Sequence, residues 1–478
     1  MKARAHHIVL FVVVTLAASV LPARGQLLEV TTSTAASRSG APLEVTTAFV
    51  RVPELRLPGE SRPASIELAT VRVRQTGKPS ARSAHVLLAG GPGDSGVSLV
   101  TGLVRQADSE VWRLFDGDII GVDQRGTGRS RPNLDARVPY GLPLDRPGSI
   151  EEWLPRIHDA SRQVAEGFRA RGIRLEAYNT RESADDVAAV VKALGYERVT
   201  LWGRSYGSHL ALATVARHPA MIDRLLLVSP EGPNHTWKRP SQVDVVIDRL
   251  VARGATDLRA NMRKVLVRLT DAPVSVRVSD PVSEAQATVV LGAFDIQWIA
   301  TQALGDPRLL ATLPAAFREM AEGSFERLAQ IALVRRTRTG VDSAMKHMMD
   351  ASSGASPDRR RLIESEARDA LLGNAINFPG MFVNEAWAPV TDMGEEFRRP
   401  VVSNTPTLIL VGDLDPRTPV ANAREIAAAL PRAHTVVLEN ATHQFDLFGS
   451  PAVRDLVAGF LRGEAVAERV PLPPIPFR

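Results

Sequence analysis

Four short apolar runs, each closed by Gly, Asp or Ser, constrain this chain more than any other feature: HVLLAGG from His85, DIIGVDQRG from Asp118, RVTLWGRS from Arg198 and RLLLVSP from Arg224. Runs of this length without polar alternation suit strands buried on both faces of a parallel sheet. Parallel strands need crossovers, and helical patterns lie between them, as in SADDVAAVVKALG from Ser183, which Gly195 would stop. Strand and helix repeated in this way predict an α/β sandwich, a mostly parallel central sheet flanked by helices through right-handed crossovers. Ahead of these runs, LEVTTAFVRV from Leu43 and ASIELATVRV from Ala64 alternate apolar and polar residues about a Pro and Gly connection, which predicts a hairpin.

The alternation stops near Trp237 and resumes at PTLILVGDLD from Pro406, followed by a helix from about Val420, a strand AHTVVLEN and a last helix from Pro451. The organisation expected is therefore a core in two parts, 44–236 and 401–465. Between them lies a large, mainly helical cap insertion over 237–400 that covers one edge of the sheet. Within it, SEAQATVVLGAFDIQWIATQAL and ESEARDALLGNAI read as helical. Residues 26–43, rich in Ser, Thr and Ala between Thr31 and Ala41, read as a loose linker. The Pro-rich tail 466–478 reads as an extended strap.

Residues 1–25 read as a cleaved signal peptide: Lys2 and Arg4 precede an apolar run from Ile8 to Leu21, and Ala23 and Gly25 supply small residues at the cleavage-determining positions. A secreted or periplasmic location is expected, with no membrane association after cleavage. Beyond residue 25 the basic and acidic residues nearly balance, 55 against 53, and the arginines are interspersed with acids. That pattern argues against a nucleic-acid partner, which calls for a concentrated basic stripe. The chain has no Cys, so disulfides, thiol catalysis and thiolate metal sites are excluded. No metal or nucleotide motif fits, and neither a metal nor a cofactor is expected.

The chemistry begins at Gly203-Arg204-Ser205-Tyr206-Gly207, a G-x-S-x-G between a buried strand and a helix. The two glycines permit a sharp turn that lifts the Ser205 hydroxyl above the sheet. A serine hydroxyl is a poor nucleophile at neutral pH and needs a base and an orienting carboxylate, in the chain order Ser, Asp or Glu, His. Downstream, GDLDPRTP ends one strand with Asp413 and Asp415, and ENATHQF ends the next with His443. Both should lie on the sheet edge that carries Ser205. Asp415 is the expected acid, because the Pro416 turn carries it outside the sheet, and Asp413 is the alternative. His209, one helical turn past Ser205, should lie beneath the turn and serve poorly as a base. Acyl transfer also needs donors for a negative oxygen. The backbone N–H of Tyr206 and that of Gly91, in GGPGDSG from Gly90, are the expected oxyanion donors.

GGPGDSG, DQRGTGRS from Asp123, ADDVAAVVKALGYERVTLWGRSYGSHLAL, GDLDPRTP and the late THQF together resemble the α/β-hydrolase serine exopeptidases of the proline iminopeptidase and tripeptidyl aminopeptidase group. The resemblance spans roughly residues 44–236 and 400–465. Ala89 stands where proline iminopeptidases usually carry a His, so the tripeptidyl branch is the nearer match. That branch commonly has a Cys-x-Glu in its cap; here VNEAW has Asn384 in place of the Cys and retains Glu385. The resemblance implies an α/β-hydrolase fold and makes Glu385 the candidate for binding the substrate ammonium. Asp123 and Arg125 are expected to brace the DQRGTGRS turn. The function implied is an exported serine aminopeptidase that releases N-terminal residues or short fragments from oligopeptides, small peptides being its partners. A carboxylesterase using the same three residues is the alternative.

Overall fold

In the computed structural model of the protein, residues 26–59, 63–76 and 83–477 are described, so the expected signal peptide lies outside the described residues. Ten strands form the main sheet: β1 (Leu27–Ala36), β2 (Pro42–Pro53), β3 (Ser65–Gln75), β4 (Ser83–Leu88), β5 (Asp118–Val122), β7 (Arg198–Arg204), β8 (Ile222–Val228), β12 (Thr407–Gly412), β13 (Ala433–Glu439) and β14 (Arg469–Pro471). The others are β6 (Asp135–Pro139), paired with β11 (Gly340–Ser343), and β9 (Val274–Ser279), paired with β10 (Gln286–Leu291). The main sheet runs in the order β1-β2-β3-β5-β4-β7-β8-β12-β13-β14. From β5 to β14 the neighbours are parallel, while β1, β2 and β3 form an antiparallel meander joined to β5.

The period of two along each strand sorts its side chains between two layers. Val86, Leu225, Leu227, Ile409 and Val411 face the layer of helices Ile150–Ala170, Thr180–Ala193 and Tyr206–Arg217. Leu87, Leu226, Leu408 and Leu410 face the helices Gly96–Gln106 and Pro451–Arg462. β5 and β12 are buried along their whole length, which explains why their sequences carry no polar alternation.

Three expectations are corrected. The stretch read as a linker contains β1, a mostly exposed strand held by its ladder to β2 rather than by an apolar face of its own. The run from Ser283 is not one helix, because Gln286–Leu291 pairs with Val274–Ser279 as a hairpin and the helix starts only at Ala293, after Gly292. The inserted segment does not cover a sheet edge, since the edges are β1 and β14. Its helix Pro240–Ala252 instead sends Arg249 to the Asp413 carbonyl and Arg253 to the Asp413 carboxylate, at the C-terminal end of β12.

The insertion is also divided. The elements between Pro240 and Arg338 share an apolar cluster of their own, whereas helix Ala344–Ser353, Phe378 and Trp387 pack into the main core. The tail adds β14 to the sheet and lays Ile475 and Phe477 on the cap cluster, tying the two bodies together.

Candidate active site

β4 leads to β5 on one side and β7 leads to β8 on the other, so the chain changes direction between two adjacent strands. Open α/β sheets gather ligands in the crevice that this reversal leaves at the strands' C-terminal ends. The loop Gly90–Gly93 follows β4 there, and Ser205 follows β7.

Ser205 has φ 53° and ψ −123°, a strained conformation for a residue with a side chain. Its surroundings enforce it. The Ser205 N–H donates to the Val228 carbonyl at 2.9 Å. A Cβ on Gly207 would come within 2.1 Å of the Leu88 carbonyl oxygen, and one on Gly203 within 2.4 Å of that of Gly207. The helix therefore packs against the strands at a distance only glycine allows, and Ser205 stands at the tip of the turn.

His443 follows β13 and Asp415 follows β12. His443 Nε2 is 3.1 Å from Ser205 Oγ, and its Nδ1 is 2.9 Å from Asp415 Oδ2. Asp415 Oδ1 accepts from the backbone N–H groups of Arg417 at 2.8 Å and Thr418 at 2.9 Å, and Oδ2 accepts the Thr418 hydroxyl at 2.7 Å. Burial alone would push the Asp415 carboxyl up, but His443 and the Thr418 donors hold it well below the usual carboxylate range. A hydroxyl, an imidazole and an ionised carboxylate in this order can move a proton from Ser205 while the carboxylate fixes the imidazole tautomer.

Asp413 is engaged elsewhere, with Arg253 and with the Asn440 N–H at 2.9 Å, and so latches the cap to the sheet. His209 is fully buried under the turn, with Nδ1 donating to the Gly232 carbonyl at 3.1 Å and Nε2 3.3 Å from Ser353 Oγ. Gly91 adopts φ 105°, and a Cβ on Gly90 would lie 3.3 Å from that of Ser205, so this loop runs alongside the hydroxyl. Tyr206 opens the helix, where backbone N–H groups have no intrahelical acceptor. Asp123 accepts from Val97 N–H at 3.0 Å and Arg129 N–H at 2.8 Å, and the fully buried Arg125 pairs with Asp186, so both brace their turn.

Glu385 is corrected. It lies in the short turn Asn384–Trp387, which buries Ala386 and Trp387 and leaves the Glu385 side chain in solvent. A carboxylate that binds an ammonium against competing water needs shielding, and Glu385 has none. Asp392 and Glu395 of the same segment are exposed as well.

The shielded acids near Ser205 were not legible in the sequence. Glu231, after β8, is buried and paired with Lys238; its backbone N–H donates to Ser208 Oγ at 2.8 Å, one turn from Ser205. Asp350, on the cap helix Ala344–Ser353, is nearly buried, and Lys346 donates to its Oδ2 at 2.8 Å. The preceding Met349 accepts from the Tyr206 hydroxyl at 3.3 Å, which fixes this helix beside the Ser205 turn. Thr418 was missed too, although a Thr three residues after Asp415 is the spacing of a side chain that caps its own turn.

The family described as "alpha/beta hydrolase fold" matches residues 86–261, the stretch that holds Ser205 and the crevice. The chain has the α/β-hydrolase fold. Residues 381–469 match the family described as "TAP-like protein". It is 26% identical over 213 residues to serine protease Hip1 of Mycobacterium tuberculosis, a match covering 41% of each chain. It is 29% identical over 179 residues to tripeptidyl aminopeptidase of Streptomyces lividans, covering 35% of this chain and 32% of that one. The putative hydrolase YuaR of Escherichia coli is 22% identical over 379 residues, covering 73% and 72%. The matched stretches thus span about two fifths of the length of Hip1 and one third of that of the aminopeptidase.

Proposed function

We propose that this chain of α/β-hydrolase fold is an exported serine aminopeptidase, with Ser205 as nucleophile, His443 as base and Asp415 as the acid that orients it. The observation that carries the reading is the 3.1 Å and 2.9 Å pair of hydrogen bonds joining Ser205, His443 and Asp415 at the crevice. The named relatives at 26% and 29% identity, a serine protease and a tripeptidyl aminopeptidase, favour an amide over an ester as substrate. Export rests on the amino-terminal charge and apolar run.

His443 Nε2 takes the proton as Ser205 Oγ bonds to the substrate carbonyl carbon, and the carbonyl oxygen becomes negative. The N–H groups of Tyr206 and Gly91 receive that oxygen, aided by the positive end of the helix Tyr206–Arg217. As the C–N bond breaks, His443 returns the proton to the leaving amine and an acyl-enzyme remains. Water, deprotonated by the same imidazole, releases the acid and restores Ser205. The substrate ammonium is received by Asp350, whose Oδ2 is taken by Lys346 and whose Oδ1 has no hydrogen-bond partner among the described residues.

The test is a panel of free and N-blocked aminoacyl and tripeptidyl amides alongside short-chain esters, with Ser205→Ala as control. Ser205-dependent cleavage of the free-amine amides, with blocked ones inert, is expected. Hydrolysis of esters alone would make the protein a carboxylesterase instead.

A further inference from the structure

Two guanidinium groups, one beside the Asp415–His443 pair and one on the cap, have no acid of their own. Arg417 lies between the Asp415 turn and the cap. Its Nη2 donates to Gln302 Oε1 at 2.6 Å, and its Nε is 3.4 Å from the position of a Cβ on Gly305. The Gly305 carbonyl in turn accepts from the N–H of Gln444, the residue after His443, at 3.3 Å. Arg335, on the cap helix Glu326–Arg338, lies over the Trp298 ring at 5.4 Å. It forms part of the wall of a cavity of about 200 Å³ lined otherwise by Ile296, Ile299, Phe317 and Leu328 among others.

Both arginines are part-buried, and neither has a carboxylate within 4.0 Å among the described residues. Elsewhere this chain pairs its buried arginines: Arg336, the next residue, with Asp295, and Arg125 with Asp186. The acids whose charge reaches Arg417 are already engaged, Asp415 with His443 and Glu231 with Lys238. Trp298 and Gln302, which these two arginines meet, stand one turn apart on the helix Ala293–Ala303, so the two guanidinium groups come to the same stretch of the cap interface, and burial makes the charge of each costlier. Buried charges are ordinarily paired. A guanidinium pair left without an anion beside a catalytic crevice is a receptor for one, and its planar forks suit a carboxylate.

We propose that Arg335 and Arg417 together receive a carboxylate of the substrate, so that the enzyme selects short peptides carrying an acid group, either the free C-terminus or an acidic side chain. The inference rests on the reading of the crevice as a peptide-cleaving site. With Asp350 at the ammonium and the two arginines at the carboxylate, the crevice is matched to a short zwitterion. The apolar wall around Arg335 keeps water from competing for the anion.

Binding to the Ser205→Ala protein tests this without relying on turnover. Calorimetry compares trialanine with trialanine amide, and Ala-Glu-Ala amide with Ala-Gln-Ala amide. A preference of about tenfold or more for the charged member of one pair is expected, since removing one partner of a desolvated charge pair costs at least that much. The first pair identifies the C-terminus as the source, the second a side chain. In Arg335→Gln with Arg417→Gln that preference should fall below about threefold. Equal affinities within both pairs, or no binding of any of the four, overturns the inference. If the double variant does not fold, the comparison on Ser205→Ala alone decides. Failure of the peptidase reading is separate: it appears as absent Ser205-dependent turnover of every peptide in the panel above.

Discussion

Arg204 Nη2 donates to the main-chain carbonyl of His443 at 3.2 Å and to that of Phe445 at 3.1 Å, so the residue before Ser205 holds the loop that carries its partner. The guanidinium also lies 5.6 Å over the Phe445 ring. Arg204 acts on position rather than on substrate. Displacing a base by an ångström costs roughly 100-fold in rate. Arg204→Ala should therefore lower kcat by roughly 10- to 100-fold with a smaller change in KM, and Arg204→Lys should recover part of the loss. Steady-state kinetics, with thermal melting to confirm folding, checks this; an unchanged kcat would make Arg204 a packing residue only.

Asp415 and Asp413 stand two residues apart and do different work. Asp415→Asn presents an amide to His443 Nδ1 and can favour the wrong tautomer, so kcat should fall on the order of 10⁴-fold with little loss of stability. Asp413→Asn weakens the contact to Arg253 and should cost about 1–3 kcal/mol of stability while leaving kcat within about tenfold of the parent. Denaturant melts and kinetics on both variants rank them. The opposite order would reassign the acid.

Glu385→Gln should change kcat/KM on free-amine peptides less than about twofold, because an exposed carboxylate binds an ion weakly. Asp350→Asn should lower it by about 30-fold or more on those peptides, with less effect on a neutral ester cleaved by Ser205. The ratio between the two substrates is the measurement. Equal loss on both would mean that Asp350 supports the cap alone.

His347 stacks on Trp387 with ring centroids 4.8 Å apart, and burial together with the Lys346 charge pushes its imidazole down to about 3. The unfolded chain takes up a proton as pH falls below about 6.5, whereas the folded chain does not until near the lower value. Stability contributed by this residue is therefore full at neutral pH and falls as pH drops, by up to about 1.4 kcal/mol per pH unit. His347→Phe keeps an aromatic ring on Trp387 without the proton site. Urea unfolding at pH 7, 5.5 and 4.5 should show the parent losing more stability than the variant across that range. Parallel losses in both would count against a neutral buried imidazole.

Local signals carried far in this chain. A buried parallel strand is apolar on both faces, so β5, β7, β8 and β12 were readable from short runs of sequence. Ser205, Asp415 and His443 follow strand ends, where the chain must turn and where Gly and Pro betray the turn. Elements whose stability comes from a distant partner left no such mark. β1 is mostly exposed and exists because β2 supplies its hydrogen bonds, and the hairpin of β9 and β10 leads straight into a helix, so its pattern blended with the helical one.

The same division runs through the site. The sequence by itself marked the buried parallel strands and the strand ends that carry Ser205, Asp415 and His443, because each of those signals lies within a few positions, whereas the strand order, with its reversal between β4 and β7, is a matter of tertiary structure. Tertiary structure alone decided that Glu385 faces solvent, that Asp350 and Glu231 are the shielded acids beside Ser205, and that Arg204 reaches the carbonyl of His443. It also decided that Arg335 and Arg417, 82 positions apart in sequence, meet residues one turn apart on the helix Ala293–Ala303 with no carboxylate partner among the described residues. Burial and charge pairing are sums over everything that surrounds a group, and in this chain those surroundings come from segments up to more than two hundred residues apart, as with Ser205 and His443.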